Sequence, residues 1–458
     1  MSEASRAMRS AEQIGRTAAG PRSVPALIPG ARGRLPAVSR TRLDNGLTVL
    51  AVRKPRSPLV EVRLRVPFGG SSPVHAARAE LVAATLLLGT AGRDRRQVDA
   101  DLAAVGGHLD TGVDPQRLLV TGSVLASGLP TLLDVLADCL TGAAYRKDDV
   151  LGERARLVEH LMISAAQPAS VAHRLLQQRR FGEHPAAWDV PDAELVGTVG
   201  VAAVRGLHGR AVVPDGCTLT LVGDLSPGRA TAAAAQALSG WGADRSTRRL
   251  APPPAIVGGP LLAEHRAGAV QSQVRLSGPA VPRSDPDYPA HQLANLVYGG
   301  YFSSRLVENL REDKGFTYHA RSTLEFWPER AAVTISFDTA TPATAAALLE
   351  TQYELGRLSL QPPTEAEVDS ARNYALGTLA TSLATQAGLA SMLSMLAGSG
   401  LDEGWLREHP KRLVATTVDD VAAAAATMLA PAAFTGVIVG DLDAIAPGLR
   451  GLGTVELP

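Results

Sequence analysis

Two cysteines in 458 residues, Cys139 and Cys217, are too few for a disulfide framework. Both stand in apolar surroundings, where a thiol packs as a small core group. Charge of one sign is also missing. The chain carries 45 basic and 45 acidic residues, so no global field selects nucleic acid or an acidic membrane surface. The short basic runs Arg93–Arg96 and Arg179-Arg180 are expected to be solvated surface. Residues 1–40 are polar, rich in Ala and Arg, and have no apolar core of a secretory signal; a flexible tail and a cytoplasmic protein are expected. The longest uncharged run, Asn373–Leu401, holds too many Ser, Thr, Asn, Gln and Gly residues to span a membrane and reads as a buried amphipathic helix. Phosphate-binding and dinucleotide-binding loops are absent, as is a Gly-x-Ser-x-Gly nucleophile elbow. The His/acid pairs His75 and Glu80, His108 and Asp110, and Glu183 and His184 have no such nucleophile beside them.

The chain instead contains itself twice. Val222-Gly223-Asp224-Leu225 recurs as Val439-Gly440-Asp441-Leu442, 217 residues on. Val150, at the head of an acidic helix start, returns as Val368 at an offset of 218, and Thr198-Val199 as Thr417-Val418 at 219. Three landmarks near one offset indicate two tandem copies of one fold, as the length also suggests. Strands are expected at Thr48–Ala51, Leu59–Val66, Arg117–Val124 and Cys217–Val222, then at Val270–Leu276, Ala332–Phe337 and Thr435–Val439, interleaved with long helices that include 147–163, 168–179, 302–313 and 364–397. Asn45-Gly46 between alternating segments marks a hairpin turn. The fold class is α+β, two tandem α/β sandwich domains with helices packed on sheets. The boundaries read as a tail at 1–40, a first domain at 41–245, a linker at 246–268 around Pro252-Pro253-Pro254, and a second domain at 269–458.

Residues 296–318, LVYGGYFSSRLVENLREDKGFTY, are the most informative stretch. Leu306, Val307 and Leu310 give a helix one apolar face, with Arg305, Glu308, Arg311 and Glu312 mostly on the other. Gly315 ends the helix, and Phe316-Thr317-Tyr318 reads as the strand that follows. A guanidinium fork at Arg311 and a phenol at Tyr318, both on rigid elements, suit a peptide carbonyl or an oxyanion. This segment resembles the C-terminal signature of the M16 zinc metallopeptidases, the family of pitrilysin, insulin-degrading enzyme and the mitochondrial processing peptidases. The hairpin near residue 45 and the stretch 261–288 extend the resemblance to nearly the whole chain. It implies the M16/LuxS-like metallohydrolase fold, whose paired domains form a clamshell around a chamber, and it implies substrate-binding and catalytic roles for Arg311 and Tyr318 toward a zinc site.

That zinc site is not in this sequence. Active members carry His-x-x-Glu-His on an early helix, two imidazoles one turn apart on the metal and a carboxylate that activates water. The matching positions hold Glu80, Ala83 and Ala84, and alanine neither ligates nor takes a proton. The later carboxylate ligand falls on His160, or on Glu159 after a one-residue shift. Residues 156–160, Arg-Leu-Val-Glu-His, mimic a zinc motif but begin with an arginine. The expectation is a chain with no metal of its own, zinc being held by a partner subunit. In the two-subunit members of the family one subunit holds zinc while its partner donates the Arg and Tyr. The resemblance thus implies a heterodimer acting on peptides, with leader-peptide removal, signal-peptide clearance and general peptide turnover all compatible. The alternatives are a catalytically silent scaffold and a peptide-binding homologue without hydrolysis.

Overall fold

The Asn45-Gly46 turn closes a hairpin between β1 (Val38–Arg42) and β2 (Thr48–Arg53), with Arg42 opposite Thr48 and Gly46 at φ +88°. The computed structural model describes residues 35–458 apart from 243, 244, 454 and 458; residues 1–34, most of the expected tail, lie outside the described residues. The rest of the first half runs β3 (Leu59–Pro67), α1 (Pro73–Thr85), α2 (Arg95–Ala104), β4 (His108–Asp114), β5 (Arg117–Leu125), α3 (Leu129–Gly142), α4 (Lys147–Ala165), α5 (Pro168–Phe181), α6 (Ala193–Thr198), α7 (Val201–Ala211), β6 (Thr218–Gly223) and α8 (Pro227–Ala237). Its sheet has the order β1-β2-β6-β3-β5-β4, with only β2 and β6 parallel.

The second half repeats this plan with β7 (Leu261–His265), β8 (Gln271–Ala280), α9 (Tyr288–Asn295), α10 (Arg305–Val307), β9 (Ala320–Trp327), β10 (Arg330–Ala340), α11 (Thr344–Leu360), α12 (Glu365–Ala384), α13 (Gln386–Gly398), α14 (Trp405–Ala415), α15 (Val418–Met428), β11 (Thr435–Gly440), α16 (Leu442–Arg450) and β12 (Val455–Glu456). The order β12-β7-β11-β8-β10-β9 matches the first sheet strand for strand, except that the outer strand comes from the C-terminus and runs parallel to β7. The repeat reaches individual side chains. Arg63 on β3 donates to its neighbour's Val62 carbonyl at 2.8 Å and across the sheet to Gly122 O at 3.1 Å; Arg275 on β8 does the same to Val274 O at 2.8 Å and Phe337 O at 3.0 Å.

Each sheet buries one face under helices of its own half, around cores that include Leu64, Leu81 and Leu136 in the first and Leu293, Ile335 and Leu355 in the second. Across the other face lies a helix from the opposite half. Helix α5 packs on β8 and β11, seating Ala172 and Leu176 against Val437 and Val439, while α13 packs on β3 and β6. Polar side chains fix both docks. Gln386 at the head of α13 donates to Lys54 O at 2.7 Å and Ser57 O at 3.1 Å, and Arg179 on α5 donates to Thr435 Oγ1 at 3.0 Å. Residues 37–458 form one compact unit in consequence.

Several boundaries move. β7 lies inside the span expected as a linker and pairs with β11, so the second half reaches back to Leu261. β1 begins within the expected tail, β4 was not anticipated as a strand, and β9 starts at Ala320, after the Phe316-Thr317-Tyr318 segment expected to open it. The single helix expected over 364–397 is broken at Thr385, whose extended backbone (ψ 158°) bends the two axes by 110°. Thr385 Oγ1 accepts from Gly388 N–H at 2.9 Å, and a Cβ on Gly388 would lie 1.9 Å from Ser382 O. No single described helix is long and apolar enough to cross a membrane. Both cysteines are buried. The basic runs are less solvated than expected: Arg93 is paired with Asp101, Asp134 and Asp138, and Arg180 is buried.

Candidate functional site

Arg311 and Tyr318 are placed by a short, distorted helix and the turn that ends it. Ser304 precedes α10, which widens into a π-helical stretch at Glu308–Asp313. Leu306 and Leu310 are fully buried, as the apolar spacing predicts. Arg305 departs from the expected polar face: it is buried and forked onto Glu367, with Nε to Oε1 at 2.6 Å and Nη2 to Oε2 at 2.9 Å. That fork and the Thr364 cap hold the Glu367 carboxyl down at about 2, against a burial cost that pushes it up. Gly315 turns the chain at φ +64°, and Phe316 N–H donates back to Leu310 O at 2.8 Å.

Arg311 is exposed. Its guanidinium lies 4.8 Å from the ring centre of Phe302, itself 60% exposed, and its Nε is 3.2 Å from Glu312. Tyr318 sits in the turn two residues before β9 rather than on a strand. The two residues before it are tied to β10: Thr339 donates to Phe316 O at 2.7 Å, and Thr317 to Asp338 O at 2.6 Å. The Tyr318 side chain is 93% exposed and has no hydrogen bond among the described residues. The backbone is thus fixed while the phenol is presented bare. Phe302 and Thr317 were not singled out from sequence, because the Arg311–Phe302 contact spans a turn that no helical spacing encodes.

The counterpart region of the first half is α1. Ser72 caps it, accepting from His75 N–H at 3.3 Å, and Pro73 starts it. Ala83 is buried, and its carbonyl accepts from Thr111 of β4 at 2.6 Å; Ala84 is half-buried. Glu80 lines a small cavity of about 20 Å³, shared with Phe68, His75, Asp114, Trp188 and Asp189. Its carboxyl has no hydrogen bond or ion pair among the described residues, and burial raises it to about 7. His75 shares the cavity, but its Nε2 bonds Phe68 O at 3.0 Å, and burial lowers its basicity. On α4, Glu159 and His160 are exposed, and Glu153 pairs with Arg156. These residues do not fit zinc: two of the positions have no donor atom, and the remaining carboxyl belongs to no cluster of three possible ligands among the described residues. Among the described residues, the one cluster with metal-ligand spacing is His265, Asp441 and Asp443, at the far end of the second sheet. The other pairs are ordinary polar contacts: His108 meets Ser123 Oγ at 3.3 Å, and His184 caps a short turn through Ala186 N–H at 3.1 Å.

Comparison with known proteins agrees with this anatomy. The family model described as insulinase (peptidase family M16) matches residues 48–190, and the one described as peptidase M16 inactive domain matches 198–374. An uncharacterized zinc protease of Mycobacterium leprae is 26% identical over 404 residues, covering 86% of this chain and 89% of the relative. One from Streptomyces coelicolor is 26% identical over 330 residues, 69% and 71% of the two chains. Among solved structures, a peptidase M16 inactive domain from Pseudomonas fluorescens superposes with a TM-score of 0.79 at 23% identity, covering 88% of this chain and 98% of that one. A protease from Helicobacter pylori superposes at 0.81 with 16% identity, covering 88% and 100%. With both halves matched in order and the same fold throughout, the chain belongs to peptidase family M16.

Proposed function

We propose that this chain is the subunit of a heterodimeric M16 endopeptidase that holds no zinc itself and donates Arg311 and Tyr318 to peptide cleavage at a partner's His-x-x-Glu-His site. The observation that supports it most is the contrast between the halves. Donor atoms are missing at Ala83 and Ala84, whereas the two residues before Tyr318, Phe316 and Thr317, are pinned to β10 and its hydroxyl is bare. In this reading Tyr318 donates to the carbonyl oxygen as it gains negative charge, and Arg311 holds substrate backbone. A phenol with no structural bond to break can form one with substrate without reorganising the fold.

The test is co-expression with a zinc-bearing M16 chain of the same genome. The chain alone is expected to hold far less than one equivalent of zinc and to cleave no peptide, and the pair to purify together and cleave with chelator-sensitive turnover. Near-stoichiometric zinc and activity in the isolated chain, or a monomer that ignores every such partner, refutes the reading.

A further inference from the structure

Beside Tyr318 the chain enters β9, and alternate residues of that strand face a solvent-open cavity of about 330 Å³ between α5 and the second sheet. Its charges are mostly paired. Arg180 reaches Glu325 at 2.9 Å, Arg275 reaches Asp338 at 2.8 Å, and His173 reaches Asp189 at 2.7 Å. Arg321 is the exception: it lines the cavity and has no hydrogen bond or ion pair among the described residues. His319 stands next to it on the same face, with its ring likewise without a hydrogen bond. Thr323 and Ser336 complete the wall, the Thr323 hydroxyl donating to Thr334 O at 3.5 Å. With the two acidic residues already engaged, the uncompensated charge is positive, and the open valences are the Arg321 guanidinium fork and the Ser336 hydroxyl. That set matches a carboxylate, which accepts two parallel N–H bonds from an arginine.

The geometry points to this cavity as a carboxylate subsite, in which a peptide handled at Tyr318 sets an acidic side chain against Arg321. The inference rests on the peptide-handling role proposed above and adds a substrate class to it: peptides with Asp or Glu close to the bond presented to Tyr318. The Ser336 hydroxyl donates to the same carboxylate beside Arg321.

The experiment measures binding of short fluorescent peptides to the isolated chain, which separates it from cleavage. Four peptides differ only in an internal Glu or Gln and in a free or amidated C-terminus. The Glu peptide with an amidated end is expected to bind about tenfold more tightly than its Gln twin at low salt, a preference that shrinks as salt rises. Arg321→Gln is expected to erase the preference with an unchanged melting temperature, and Arg321→Lys to keep part of it. A preference that follows the free C-terminus and still depends on Arg321 keeps the subsite and assigns it to the chain end. Equal affinity of the twins, a preference that survives Arg321→Gln, or no binding of any of the four overturns the inference. If the charge preference stands while the reconstituted pair cleaves nothing, the peptidase reading fails and the subsite does not.

Discussion

Tyr318 is held by its neighbours rather than by its own side chain, so its hydroxyl can be removed with little effect on the fold. Tyr318→Phe is expected to lower kcat of the reconstituted pair by on the order of 10²–10³ and to leave the melting temperature unchanged. Arg311→Ala gives up the contact over Phe302, worth about 0.5–1 kcal/mol, and an exposed pairing with Glu312 worth little, and is expected to lose turnover with assembly intact. Wild-type kinetics in both variants removes their catalytic role, whereas failed assembly makes them structural. Glu80 supplies the pH test. Its folded value of about 7 lies above the ordinary 4.5, so between those values the folded chain holds a proton that the unfolded chain has lost, and stability falls as pH rises. Glu80→Gln removes that titration. It is expected to gain stability relative to wild type between pH 5 and pH 8, by at most about 3 kcal/mol. Parallel melting curves of the two proteins across that range contradict an isolated carboxyl. From sequence, Arg311 and Tyr318 are legible because the motif is local. The isolation of Glu80 is not, because it depends on Trp188 and Asp114, which the fold brings from elsewhere. Arg180 misleads for the same reason: an Arg-Arg pair on a polar helix resembles surface until the opposite sheet covers it.

At the scale of elements, periodicity locates helices but not where they stop. The stretch from Glu365 to Gly398 has no proline and no charge after Arg372, so it reads as continuous. The break needs only Thr385, which abandons helical backbone to cap α13, and Gly388, whose missing side chain admits Ser382 O. The bend allows α12 to stay on its own half while α13 crosses to β3 and β6. Thr385→Ala is expected to cost about 1 kcal/mol through the lost cap. Gly388→Ala is expected to cost more, because backbone must move to make room, and chemical denaturation orders the two. If Gly388→Ala is neutral, the tight turn is not what sets the bend. The overlooked strands have a similar explanation. β4 carries two acidic residues and a Gly, and β7 follows a proline-rich run that reads as a linker. Both are recruited to their sheets by pairing with distant strands, a signal absent from their own composition.

At the scale of the whole molecule, the duplication is plain in the recurring Val-Gly-Asp-Leu, but the exchange of helices is not. A helix packs equally well, by its own residues, on either copy of a repeated sheet, and only the assembled geometry selects the opposite one. The consequence is thermodynamic. Without α5 the face of the second sheet would expose Val437 and Val439, each worth about 1.5–3 kcal/mol when buried. Without α13 the loop at Lys54–Ser57 would lose the Gln386 amide. Neither half is complete alone, so the two are expected to unfold together. The tryptophans permit a direct check: Trp241 lies in the core of the first half and Trp405 stacks on His409 of the second, while Trp188 and Trp327 pack together where the halves meet. With Trp188 and Trp327 replaced by Phe, keeping either Trp241 or Trp405 leaves a protein whose fluorescence follows one half, and both are expected to give the same urea midpoint. Arg180 sharpens the test. It lies on the first-half helix α5, its side chain 1% exposed, and bonds Glu325, Ser277 and Thr334 of the second half. Arg180→Ala leaves those partners unmatched and is expected to cost roughly 3 kcal/mol. If the halves are one cooperative unit, that loss lowers both midpoints equally, although Glu325, Ser277 and Thr334 all lie on the second sheet. A shift confined to the Trp405 signal would mean that the exchanged helices do not couple the halves.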